Sequence, residues 1–184
     1  ERPSLISWWP GYLVSPPDFD VMTPLERADS VRSWIAAETV YLKRGRFGTV
    51  TGVKYSAREI ERFADAMAAD EIPARITPGT GIAVRHTRLR IIPSNFPREQ
   101  GIVDSSLSVS GKTIGITVHW DLWNNGFVKI AHPVTVLHAS RTGEFLFVVS
   151  DVKFGWVKAC DIAFSSRSDM ETFANPRNFV VCTG

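Results

Sequence analysis

Two hydrophobic rhythms divide the chain. Between about residues 23 and 79 apolar positions recur at helical spacing, and from about 80 to 165 they fall into short alternating runs. The first helix has a readable start: Thr23 caps, Pro24 suits the first helical position and Glu26 completes a capping box. Leu25, Ala28, Val31 or Arg32, and Ile35 then mark its inner face. A second helix opens in the same way in "SAREIERFADAMAAD", with Ser56 as cap and Glu59 three residues on. Its stripe of Ile60, Phe63, Ala64 and Met67 reads as core. Between the helices, "GRFGTVTGV" reads as a glycine-punctuated turn and short strand.

The β region reads as "IAVRHT", "LRIIP", "TIGITVHW", "FVKI", "PVTVLHA", "EFLFVVSD" and "GWVKACDIAF", parted by Gly, Pro, Asn and Ser. "SRTGEF" predicts a hairpin with Gly143 left-handed, and Asn124, Asn125 and Gly126 predict a turn. So many short strands predict a small barrel or sandwich. The fold class is α+β, a small helical N-terminal region packed on an SH3-like β-barrel. Four segments follow: an extended arm rich in Pro and aromatics over 1–22, the helical region over 23–79, the barrel over 80–165, and a tail over 166–184. In the arm, Pro3, Pro10, Pro16 and Pro17 argue against helix or central strand, and Trp8 and Trp9 read as its packing anchors. The tail predicts a helical turn and a final strand, "NFVVC", as if a further module were beginning.

With 184 residues, 44% hydrophobic and 22% charged, the chain is long enough to bury a real core. The net charge of +2 gives no strong pull toward nucleic acid, and "KRGR" at 43–46 reads as a solvated turn. No apolar run approaches the roughly 20 residues of a membrane span. The chain opens on Glu1 without a signal peptide, which fits a processed product. Two cysteines, Cys160 and Cys182, permit one bridge at most and make no zinc site.

No catalytic constellation is evident. Cys160 lies in a strand pattern, with Trp156 and Lys158 on its own face, and lacks the helix N-terminus or neighbouring histidine that activates a thiol. It reads as a half-buried strand residue. His86, His119, His132 and His138 form no metal motif, although His132 and His138 share a strand face. There is no G-x-S-x-G, P-loop or dinucleotide fingerprint, so neither a cofactor nor a metal is expected. Asp104, Asp121, Asp151 and Asp161 fall at turns or strand ends, where aspartate commonly satisfies backbone donors. The aromatic edge "HWDLWNNGF" offers a different chemistry. Trp120 and Trp123 flank Asp121, either as a platform for sugars or peptides with a carboxylate for an amine, or as packing against the helical part.

"RHTRLRIIPS" (85–94), "PVTVLHASRTGEFLFVVSD" (133–151) and "GWVKACDIAF" (155–164), in that order, resemble the first bacterial SH3 module of NlpC/p60-type cell-wall cysteine peptidases. The upstream helices resemble the N-terminal region of the same proteins, so the likeness spans roughly residues 15–165. The family's Asp-Cys-Ser-Gly nucleophile motif and its later histidines do not occur here, and Cys160-Asp161 has the reverse order. The resemblance implies a non-catalytic part that binds peptidoglycan or its stem peptides and positions them for a γ-D-glutamyl-diamino acid endopeptidase. The catalytic domain would lie C-terminal to this chain or on a separate one, in the periplasm or cell envelope. Candidate ligand contacts are Trp120, Asp121, Trp123, Trp156 and Arg90, with Arg90 meeting a stem-peptide carboxylate or a structural aspartate and Trp156 alternatively serving as barrel core. The competing expectation is a protein-interaction module that docks or regulates a partner enzyme through the Pro-rich arm.

Overall fold

Thr23 and Glu26 close the expected capping box: the Thr23 amide donates to Glu26 Oε2 at 2.7 Å and the Glu26 amide donates to Thr23 Oγ1 at 3.2 Å. Helix α1 then runs Pro24–Arg44. This computed structural model describes residues 21–44, 55–95, 99–103, 108–109, 112–113, 117–121, 123–150 and 153–174. "GRFGTVTGV", the arm up to residue 20, the "NFVVC" strand and Cys182 lie outside them. Ala28, Val31, Ile35, Glu38 and Leu42 form the buried stripe of α1, with Trp34 beside it. Leu25 does not belong to it: the first turn lies beyond the packed face, and Leu25 is 51% exposed.

Helix α2, Ala57–Ala66, carries the same device, with Ser56 Oγ accepting from the Glu59 amide and the Ser56 amide donating to Glu59 Oε2. It packs Ile60, Phe63 and Ala64 partly against the core and leads to the fully buried Met67. A 3₁₀ turn, Ala69–Glu71, follows a left-handed Ala68 (φ 49°). Arg32 ties α1 to this segment by donating to the carbonyls of Ile72 and Pro73.

The strands are β1 (Gly79–Ala83), β2 (Thr87–Arg90), β3 (Glu99–Val103), β4 (Ser108–Val109), β5 (Lys112–Thr113), β6 (Thr117–Asp121), β7 (Asn124–Val128), β8 (Pro133–Ala139), β9 (Phe145–Val149), β10 (Phe154–Lys158) and β11 (Ile162–Ser165), before helix α3 (Arg167–Ala174). Seven form one antiparallel sheet in the order β11-β1-β8-β9-β10-β2-β7, while β3-β6 and β4-β5 make two-stranded ribbons. An α+β arrangement with an SH3-like β-domain is therefore present. Its inner face is one apolar cluster fed by all seven strands, from Ala83, Leu89 and Val128 round to Val157 and Ile162. The loop after β7 reaches back to β1 (Ala83 amide to His132 carbonyl, 2.9 Å), so the sheet curls on that core.

The outer face of β9 and β10 is equally apolar. Phe145, Phe147, Val149, Phe154 and Trp156 point away from the inner cluster and join α1 and α2 in a second core. Burial on both faces is why "FLFVV" is a continuous hydrophobic run rather than an alternating one. Trp34 of α1 stacks on Phe154 with centroids 4.2 Å apart, and Phe147 meets Trp156 edge-on at 5.2 Å.

Two local readings are corrected. Asn124, Asn125 and Gly126 lie in β7, not in a turn, because the Asn125 amide side chain is buried and donates to the Phe154 carbonyl at 3.0 Å. Cys160 sits in a 3₁₀ turn, Ala159–Asp161, between β10 and β11, and its residue is exposed. That turn interrupts the "GWVKACDIAF" strand and redirects the chain, so that β11 pairs with β1 rather than extending β10. The "SRTGEF" hairpin is as expected, with Gly143 at φ 72°.

A cationic pocket on the barrel wall

Strands β2 and β10 are antiparallel neighbours with Arg90 opposite Trp156. Alternation places Thr87 and Leu89 inward and Arg88 and Arg90 outward. On β10, Trp156 and Lys158 share that outer face. Counting two residues back along β2 and two forward along β10 sets Arg88 across from Lys158. Past the strand ends the two chains stay together, since the Val84 amide donates to the Asp161 carbonyl at 2.8 Å.

This geometry makes a half-open pocket of about 300 Å³, lined by Arg85, His86, Thr87, Arg88, Arg90, Ser94, Asn95, Lys158, Cys160 and Asp161. That is the lower end of the volume range of small-ligand sites. Among the described lining residues, four cationic side chains face the Asp161 carboxylate. Arg90, 4% exposed, forms its deep wall, while Arg85, Arg88 and Lys158 are exposed at its sides. Arg90 is held by a close backbone approach: the Arg90 carbonyl presses on Gly155, where an added Cβ would lie 2.7 Å from its oxygen.

Cys160 is not set up as a nucleophile. The Cys160 thiol donates to Asp161 Oδ1 at 3.7 Å, and among the described residues no hydrogen-bonded histidine or α-helix N-terminus sits beside it to activate it. His86 shares the pocket lining but is not hydrogen-bonded to the thiol. Among the described residues, no three His, Cys, Asp or Glu side chains gather to hold a metal ion, and no helix is long and apolar enough to cross a membrane.

The three described candidate contacts, Arg90, Trp123 and Trp156, do not converge on one site. Arg90 lines the pocket. Trp123 and Trp156 are fully buried, Trp123 between Tyr55 and Phe63, and Trp156 against Phe147 and His138. As placed, neither indole presents a surface to a ligand, and both serve as core between sheet and helices. Trp120 and Asp121 end β6, opposite Gln100 and Glu99 of β3, and their side chains lie outside the description. The sequence reading missed Arg85, Arg88 and Lys158. The parity of Arg88 and Arg90 on one strand was legible, but pairing that strand with Lys158 required the sheet order.

A curled antiparallel sheet with a helical cover defines an SH3-like β-domain with a polar pocket on its wall. Residues 114–158 match the family described as SH3 domain (SH3b1 type), which takes in β6 to β10 and ends on Lys158. A solved structure described as a novel NlpC/P60 endopeptidase from Photobacterium damselae subsp. piscicida is similar at a TM-score of 0.61 and 14% identity, over 77% of this chain. The chain spans 30% of the length of that structure. No curated protein matches the sequence. The family match supports an SH3 (SH3b1 type) module over residues 114–158, and the structural likeness shows a shared fold.

Proposed function

We propose that this chain is a non-catalytic part of a cell-wall endopeptidase of the periplasm or cell envelope, binding peptidoglycan stem peptides and positioning them for cleavage between D-glutamate and the diamino acid. The observation that carries the reading is the cationic pocket on the wall of an SH3b-type module. Stem peptides are rich in carboxylates, and a half-enclosed group of guanidinium and ammonium donors makes charge-assisted hydrogen bonds to carboxylates, bidentate where arginine is the donor. The Cys160 thiol, facing Asp161 rather than an activating histidine, supports assigning the chemistry to a separate catalytic domain.

The test is co-sedimentation with purified sacculi. The chain pellets with them, and the charge reversals Arg85→Glu and Lys158→Glu, both at exposed positions, release it into the supernatant while leaving its circular dichroism unchanged. Undiminished pelleting of the double variant would remove the pocket from the binding surface. Trp120→Ala in the same assay reports whether the β6 end contributes.

A further inference from the structure

We infer that helix α2 is a lid over Trp123, latched to the sheet by His138 and Arg141, and that mild acid releases it while the barrel stays folded. The inference does not depend on the wall-binding reading. Helix α2 buries none of its own residues, so packing along its length gives it little hold. What it covers is aromatic. Phe63 meets Trp123 edge-on at 4.9 Å, and Tyr55, just ahead of the helix, stacks on the same indole at 5.6 Å. Trp123 itself is fully buried. The firm attachments gather at the C-terminal end of α2. His138 of β8 sets Nε2 3.2 Å from the Met67 carbonyl and 3.1 Å from the Ala68 carbonyl. Carbonyls only accept, so Nε2 carries the proton. Arg141 donates from its backbone amide to the Ala66 carbonyl and from Nε to the Asp65 carbonyl. The chain turns at the left-handed Ala68, and beyond that turn Arg32 pins the Ile72 and Pro73 carbonyls to α1. A lid that swings on Ala69–Glu71 therefore has its far side fixed.

The two latches respond differently to acid. The charged groups beside His138 are Asp65 of α2, Asp70 and Glu71 of the 3₁₀ turn, and Arg141, which pairs with all three carboxylates. Phe147 of β9 and Trp156 of β10 bring no charge. Arg141 holds Asp70 below the usual carboxylate range, so that clasp keeps its charges in mild acid. Glu38, on the α1 stripe, stays protonated there, since desolvation pushes its carboxyl up to about 8. Among these groups His138 is the one that changes. Burial holds its pKa below 6.5, so the neutral ring belongs to the closed lid and the open lid takes up the proton. The open fraction therefore rises as pH falls below 6.5, by at most about tenfold per pH unit.

The experiment is hydrogen–deuterium exchange of the 184-residue chain, read by mass spectrometry from pH 7 to 5 and normalised to the intrinsic amide rate. The amides of α2 exchange faster as pH falls, while those of β8 to β10 keep their protection. His138→Gln, whose side-chain amide still donates to carbonyls, is protected at pH 7 and loses the acid response. Arg141→Ala opens the lid at every pH but keeps the response. Acrylamide quenching of tryptophan rises with the exchange, and Trp123→Phe removes that rise. Exchange of α2 that ignores pH would overturn the inference. So would loss of protection in α2 and the sheet together, or an acid response that survives in His138→Gln.

Discussion

Gly155 is a position where one added carbon meets both backbone and an unusual dihedral. It lies in β10 at φ 155°, a backbone region that side chains rarely adopt. Its Cβ would stand 2.7 Å from the Arg90 carbonyl oxygen and 3.1 Å from Leu89 Cγ. The first obstacle is backbone, so it cannot rotate away, and relief requires β2 to move off β10. Backbone strain of about 1–3 kcal/mol adds to an overpacking cost of about 1–3 kcal/mol, so Gly155→Ala should destabilise by about 2–6 kcal/mol. Gly143 is the control: it also has positive φ, 72°, but its Cβ would meet nothing within 4 Å, so Gly143→Ala should cost only the conformational term, about 1–2 kcal/mol. Urea denaturation followed by tryptophan fluorescence and far-ultraviolet circular dichroism gives both values. A loss at Gly155 no greater than that at Gly143 would refute the claim that strand approach, rather than dihedral preference, demands glycine there. The displaced β2 also carries Arg88 and Arg90, so any folded Gly155→Ala should bind sacculi more weakly.

Glu38 is buried in α1 and desolvation pushes its carboxyl up from 4.5 to about 8. A carboxyl whose folded value is raised favours the protonated fold, so it lowers stability progressively as pH rises from about 4.5 to about 8; Glu38→Gln should flatten that decline and be the more stable protein at pH 8, and a parallel pH profile for both would contradict it. Ser56→Ala removes half of the α2 capping box and should cost about 1 kcal/mol in the same urea assay. His138 donates Nε2–H to the Met67 and Ala68 carbonyls, at 3.2 and 3.1 Å, and burial holds its pKa below 6.5. Its neutral form is the folded one, so stability should fall as pH drops below 6.5, and His138→Gln should weaken that acid-side loss, as read by thermal melts from pH 7 to 5.

What was legible in the sequence was what local chemistry decides. Both capping boxes, the α2 stripe, the Gly143 hairpin and strand β8 follow from side chains a few residues apart. The Cys160 turn was not legible, because "GWVKACDIAF" alternates as one strand and only the demand of β11 for pairing with β1 breaks it. Trp123 and Trp156 illustrate a second limit. An aromatic near polar neighbours has the same local signature on a surface as beneath a helix, and here α1, α2 and Tyr55 cover both rings. The pocket was half visible: Arg90 was singled out, while its neighbours on β10 and the following turn belong to a sheet order that no single segment encodes.

The Arg141 hairpin bears on how such a module can be moved between proteins. At the β8–β9 turn, Arg141 reaches across to Asp65, Asp70 and Glu71, and its amide donates to the Ala66 carbonyl at 3.1 Å. Beneath this fastening lie Phe147, Phe154 and Trp156, roofed by α1 and the chain around Met67. A barrel excised at residue 79 would therefore leave an aromatic patch of the kind that drives aggregation. Recombination that treats this SH3-type unit as a self-sufficient cassette should be purged, and the heritable block is the barrel together with its helical roof.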